Sequence, residues 1–167
     1  MTTSASGTVH FMGVGGAGMC ALAELVVRTG RTVSGCDLNH GRSVDNLRNL
    51  GVAIHEGHDP SHLAGVDSLV VSAAVPNAHP EVQAAKERGI PVVKRAEALG
   101  ACVNGGRVLA VAGTHGKTST SAMAAELLTS ADLDPTAIIG GRVVAWGGNL
   151  LCGDSDLYVV EADEFDR

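Results

Sequence analysis

The chain has 167 residues, 45% of them hydrophobic and 18% charged, which suits one domain, or one domain and part of another, around a sizeable core. Only 2% are aromatic, so Ala, Val and Leu carry the apolar content, and the 22 glycines gather at turns without a collagen-like period. The net charge of −6, with no basic cluster longer than Lys94-Arg95, excludes a nucleic-acid binder. No apolar run approaches the roughly 18 residues of a membrane span, which argues against a membrane partner.

The elements alternate along the chain. The stretch 8–14 (TVHFMGV) reads as a buried strand and 18–30 as a helix closed by Gly30. A strand at 31–37, a helix at 43–51 and a short strand at 52–57 follow. The β-branched stretch 67–75 is strand-like. Residues 79–89 form a helix with Pro80 near its first turn and Gly89 at its end. A strand at 90–95 and a short helix at 96–103 complete the series. Short strands separated by helices of about ten residues mean βαβ units, a Rossmann-like parallel sheet with helices on both faces.

The segment 104–107 (NGGR) breaks the pattern and a second series starts: a strand at 107–112, a glycine turn, a helix at 117–129, then 135–141 and a strand at 157–162 running into an acidic cluster. This is the start of a P-loop-type α/β domain. So little of it cannot cover both faces of a parallel sheet. We therefore expect the front of a larger protein with apolar surface left over, disordered or paired with another chain, so a homo-oligomer is open. The four cysteines (Cys20, Cys36, Cys102, Cys152) are far apart and form no C-x-x-C pair. With no export signal in the polar lead, they read as reduced thiols of a cytoplasmic protein.

Two glycine loops carry the chemistry. In the first, Gly13-x-Gly15-x-x-Gly18 follows a strand and opens a helix, and Asp37 ends the next strand about 20 residues on. The glycines let the backbone approach a diphosphate at a helix N-terminus, and the acidic residue can bond a ribose hydroxyl. NAD and a UDP-sugar would both fit. In the second loop, Gly113-Thr114-His115-Gly116-Lys117-Thr118-Ser119, Val111 stands where the common phosphate-loop pattern has its first glycine. Gly113 and Gly116 let the backbone fold round an anion, Lys117 can reach terminal phosphates, and Thr118 is placed to ligate Mg²⁺. His115 is bulky for such a cradle and is expected to face the second substrate. Of Glu161, Asp163, Glu164 and Asp166, Glu161 comes first after the buried strand and is the best metal ligand. The other histidines (His10, His40, His55, His58, His62, His79) lack metal-ligand spacing and read as surface or loop residues.

Taken together and in order, HFMGVGGAGM, SGCDL, LVVSAAV, GIPVVKRAEAL, AVAGTHGKTSTSAM, LDPTAIIGG and VVEADEFD resemble the Mur ligases of peptidoglycan synthesis, over nearly the whole chain. The short GTHGKT loop looks like that family's own form of the ATP loop. The resemblance implies a UDP-sugar-binding domain over 1–103 and an incomplete ATP-binding central domain over 104–167. It implies ATP and Mg²⁺ as cofactors and UDP-N-acetylmuramate and L-alanine as substrates, joined through an acyl phosphate. Gly15, Gly16, Ala17, Gly18 and Met19 would hold the UDP diphosphate, with Asp37 and Ser72 nearer the uridine. Residues 113–119 would hold ATP, Thr118 and Glu161 the metal, and Lys117 and His115 would be catalytic. Ala73 departs from the family pattern, where a second Ser is common. Two alternatives stay open: the recycling member that attaches a tripeptide to the same sugar acid, toward which EADEFD leans, and an NAD(P)-binding oxidoreductase, which leaves the second loop unexplained.

Overall fold

The computed structural model describes residues 7–39 and 41–162. The chain divides into two compact units, Met1–Ala98 and Leu99–Arg167. His40, Asp163, Glu164 and Asp166 lie outside the described residues.

The first unit runs β1 (Val9–Met12), α1 (Ala17–Arg28), β2 (Val33–Asp37), α2 (Arg42–Asn49), β3 (Ala53–Glu56), a 3₁₀ turn (Pro60–Leu63), β4 (Ser68–Val71), α3 (Pro80–Glu87) and β5 (Val92–Lys94). Its sheet is parallel throughout, in the order β3-β2-β1-β4-β5. The order reverses between β1 and β4, so the carboxyl ends of those strands flank a crevice where open α/β sheets bind ligands. β1 is central and buried along its length. Its pleat puts Phe11 on one face and His10 and Met12 on the other. Register then lines up His10 with Ser34, and Met12 with Cys36. The 3₁₀ turn and α3 cover that second face, where Leu63, Val82 and Ala85 pack with Met12, Cys36, Leu69 and Val71. Right-handed crossovers carry α1 and α2, which pack on each other, across the opposite face.

The local signals explain the boundaries. Gly30 and Gly89 close α1 and α3 at φ 85° and 70°, a conformation glycine adopts without strain. Pro80 opens α3, and Glu81 N–H donates to the ring of His79 at 3.3 Å. The strand expected over 67–75 ends at Val71, because Val75 N–H donates back to Ser72 O at 3.2 Å and turns the chain.

The helix α4 (Arg95–Val103) leads from the first unit into the second, which contains β6 (Arg107–Val111), α5 (Lys117–Ser130), β7 (Thr136–Val143), a 3₁₀ turn (Val144–Trp146), β8 (Gly148–Leu151) and β9 (Leu157–Glu161). The sheet order is β6-β9-β7-β8, with β6, β9 and β7 parallel and β8 antiparallel to β7. Ala125 of α5 packs on Ala137 and Val159 of the sheet. Val108 and Leu109 of the edge strand β6 are exposed, as are Met123 and Leu127 of α5. Among the described residues no helix is long and apolar enough to cross a membrane.

The histidines are not all surface or loop residues. His10 is completely buried on the central strand, and His55 lies on β3, stacked on His62 with ring centroids 4.5 Å apart. The cysteines divide by environment. Burial pushes the Cys20 thiol up to about 11, helped by the Glu24 charge, and Cys36 is raised further by burial and Glu81. Cys152 is exposed. Only thiolates alkylate, so iodoacetamide at pH 8 should label Cys152 in the native protein and reach Cys20 and Cys36 only after unfolding. Peptide mass spectrometry reads this directly, and equal labelling rates for Cys20 and Cys152 would contradict the burial.

Candidate functional site

In the second unit, β6 ends at Val111 and Ala162 N–H donates to Val111 O at 3.0 Å, so β6 and β9 finish side by side on the same edge. Gly113 and Gly116 take φ 138° and 79°, left-handed values that favour glycine, and Gly116 is the N-cap of α5. The loop thus turns back on itself ahead of a helix N-terminus, whose N–H groups and dipole favour an anion. Lys117 curls over the turn and donates its ammonium to Gly113 O at 2.7 Å, which holds a positive charge over the cradle. Thr114, His115 and Ser119 are exposed around it.

The sequence-predicted metal pair comes together. Thr118 Oγ1 donates to Glu161, 3.1 and 3.2 Å from its two carboxylate oxygens, across 43 residues of sequence. Gly140 N–H also donates to Glu161 Oε2, which ties the middle of β7 to the same carboxylate. A hydroxyl and a carboxylate at a phosphate loop are hard oxygen donors, the set Mg²⁺ prefers, so these residues fit that ion. Glycines 140 and 141 are part of the arrangement and the sequence reading gave them no role. A Cβ on Gly140 would lie 3.0 Å from Glu161 Oε2, and one on Gly141 2.8 Å from Thr118 Cγ2.

In the first unit the glycine loop follows β1. Gly13 at φ 73° donates to Cys36 O at 2.8 Å, and Gly16 N–H donates to Gly13 O at 3.2 Å. Asp37 folds onto this loop. Its Oδ2 accepts from Gly15 N–H at 2.7 Å and its Oδ1 from Asn39 N–H at 2.8 Å. Gly18 and Met19 lie in the first turn of α1, where backbone N–H groups have no partner within the helix. Ser72 follows β4 at the neighbouring strand end. Arg95, within KRAEAL, lays its guanidinium against Gly18, so closely that a Cβ there would collide with Nη1. A cation beside this helix N-terminus adds to its attraction for an anion. The motif around Arg95 was visible in the sequence, but its place at the glycine loop depends on β5 lying beside β4.

Two glycine loops thus stand between a strand and a helix N-terminus in successive α/β units, the second beside a hydroxyl–carboxylate pair, the arrangement of a class built for anionic ligands. A family model described as the Mur ligase family, catalytic domain, matches residues 8–107, and the chain belongs to that family. The UDP-N-acetylmuramate–L-alanine ligase of Halorhodospira halophila is 47% identical over 158 residues, covering 95% of this chain and 32% of its own length. The ligase of the same name from Burkholderia ambifaria is 46% identical, at 95% and 34% coverage. The chain thus spans about a third of the length of the curated relatives it matches. Among solved structures, a UDP-N-acetylmuramate:L-alanyl-γ-D-glutamyl-meso-diaminopimelate ligase from Neisseria meningitides matches with a TM-score of 0.87 at 31% identity, covering 95% of this chain and 53% of the other. A UDP-N-acetylmuramate-alanine ligase from Thermotoga maritima gives 0.85 at 29% identity, covering 92% and 37%.

Proposed function

We propose that this chain carries the UDP-sugar site and the ATP-phosphate site of a cytoplasmic ligase that joins L-alanine to UDP-N-acetylmuramate. The observation that carries the reading is the Thr118–Glu161 pair at the foot of the glycine cradle. A carboxylate is a poor electrophile, so the γ-phosphoryl group of ATP passes to the muramoyl carboxylate with release of ADP, and the alanine amine then attacks the acyl carbon, expelling phosphate and losing a proton. Mg²⁺, held by Thr118 and Glu161, would offset charge on the phosphate oxygens.

The chain's own groups supply the rest. Lys117 leaves Gly113 O for the transferring phosphoryl group, where its charge stabilises the oxygens that gain negative charge. The turn 113–116 orients the phosphates, and His115, exposed at its tip, meets the second substrate. In the first unit the diphosphate sits on the first-turn N–H groups at Ala17, Gly18 and Met19 with Arg95 beside it. Gly15 and Gly16 let the chain approach. Asp37 trades its bond to Gly15 for a uridine-side hydroxyl, with Ser72 across the crevice.

Thr118→Ala should raise the Mg²⁺ concentration needed for half-maximal turnover by about 10–100-fold, and Thr118→Ser should restore most of it. Phosphate release by the whole protein, followed against Mg²⁺, reads this, and an unchanged Mg²⁺ dependence in Thr118→Ala would remove the pair from the metal site. The tripeptide reading has one observation in its favour, the slightly higher TM-score and identity to the Neisseria ligase. The alanine reading rests on relatives with 46–47% identity. Turnover with L-alanine and not with the tripeptide supports the first, and the reverse supports the second.

A further inference from the structure

On the face of the first sheet under α3 and the 3₁₀ turn lie groups that an apolar core does not need. His10 of β1, Cys36 of β2 and Glu81 of α3 are completely buried. The His62 side chain, in the 3₁₀ turn, is only 12% exposed. One ring nitrogen from each histidine, Cys36 Sγ and a Glu81 carboxylate oxygen all lie within 4.8 Å of one another. Glu81 Oε1 is 3.6 Å from His62 Nδ1 and 3.5 Å from Cys36 Sγ.

Two ring nitrogens of these histidines lack a hydrogen-bond partner although both are buried: His10 Nε2 and His62 Nδ1. An orphaned polar atom in a core is costly, and a bound ion is one of the few ways to satisfy it. The far side of the His10 ring is already fixed, with Nδ1 2.8 Å from Ser34 Oγ. With the proton on Nδ1 donated to that hydroxyl, Nε2 presents its lone pair, which is how proteins orient ligating histidines.

We propose that His10, Cys36, His62 and Glu81 form a four-ligand site for a divalent transition metal ion of the Zn²⁺ class, with a structural role. A thiolate, two imidazoles and one carboxylate suit Zn²⁺ and not the all-oxygen preferences of Mg²⁺ or Ca²⁺. Bonds of about 2.0–2.3 Å place tetrahedral ligand atoms roughly 3.3–3.8 Å apart. The 4.8 Å spread therefore closes with side-chain shifts of about an ångström or less. Four protein ligands leave no position for a reactant, so the ion would pin β1, β2, the 3₁₀ turn and α3 together. His58, 3.3 Å from Glu81 Oε2, and His55, stacked on His62, support the ligands from outside. The Cys36 thiol proton leaves to solvent as the ion binds.

The test is titration of the whole protein, first stripped with a chelator, with Co²⁺ as the probe. One equivalent should bind, giving tetrahedral visible bands and a thiolate charge-transfer band that Zn²⁺ bleaches. Cys36→Ser should erase the charge-transfer band. Ser34→Ala should weaken binding by about 10–100-fold, and His62→Asn by more. His62 is partly exposed, so its variant should fold, and Zn²⁺ should raise the melting temperature of the parent protein but not of His62→Asn. No saturable Co²⁺ binding would overturn the proposal and leave the cluster a histidine–glutamate ion-pair network. So would bands that survive both Cys36→Ser and His62→Asn, or that vanish only in Cys152→Ser.

Discussion

Replacing Lys117 by Ala in the whole protein should lower turnover with ATP, UDP-N-acetylmuramate and L-alanine by about 10²–10³-fold, the usual cost of removing one preorganised group that stabilises transition-state charge. The affinity for UDP-N-acetylmuramate should hardly change, because the loop proposed to bind it is in the other unit. In the structure the Lys117 ammonium is 2.7 Å from Gly113 O, so its loss also frees a carbonyl of the cradle. Lys117→Arg separates the two effects. It keeps the charge but not the compact ammonium, and should recover only part of the rate. Initial rates of phosphate release with calorimetry of the UDP-sugar give both numbers. Near-normal turnover in Lys117→Ala would make the second loop a structural turn.

Gly15→Val should abolish UDP-N-acetylmuramate binding, a loss of at least about 100-fold, while the protein stays folded. A Cβ at Gly15 would lie 2.9 Å from Asp37 Oδ2 and 3.2 Å from Val44 Cγ2, so the branched side chain must drive Asp37 off the loop and push Val44 of α2 away from it. Values that close require something to move. Gly16→Ala is the contrast: its Cβ would lie 3.4 Å from the nearest atom, Gly13 O, and binding should fall much less. Calorimetry with the UDP-sugar and with NADH reads the outcome, with circular dichroism to confirm folding. Unchanged UDP-sugar affinity in Gly15→Val would remove the first loop from the site, and saturable NADH binding without UDP-sugar binding would move the protein to the oxidoreductase reading.

Local chemistry made most of this visible in the sequence. Gly30, Gly89 and Pro80 mark helix ends by their own backbone preferences, and the two glycine loops stand between a strand and a helix as phosphate loops must. The pairing of Thr118 with Glu161 followed from one inference, that parallel strands β6 and β9 end on the same edge. What stayed hidden depends on register or on a third element. His10, Cys36, His62 and Glu81 are scattered over four elements, and only the pairing of β1 with β2 and the return of α3 bring them together. No spacing rule reaches that far. β8 went unread because 148–151 (GNLL) is short and begins with a glycine; its pairing comes from the turn at Gly147, with φ 69°. The bond from Asp37 to Gly15 was missed for another reason. The acidic residue was expected to face a ribose, and the backbone donor beside it was already within reach.

The pairing of β6 with β9 also sets a timetable for folding. Arg107 aligns with Leu157 and Val111 with Glu161, so β6 has its hydrogen-bonding partner only after β7 and β8 have been made. At a synthesis rate of about 5–20 residues per second the wait is some seconds. During it the segment RVLAV, apolar after its first residue, is a bare strand edge on the ribosome, the kind of segment that recruits foreign strands. Arg107 guards its entrance with a charge, and once β9 arrives that same guanidinium closes on Asp156 at 2.8 Å. Pairing strands so far apart in the sequence is slow, so the yield of this unit in a cell should depend on chaperones more than its final stability suggests.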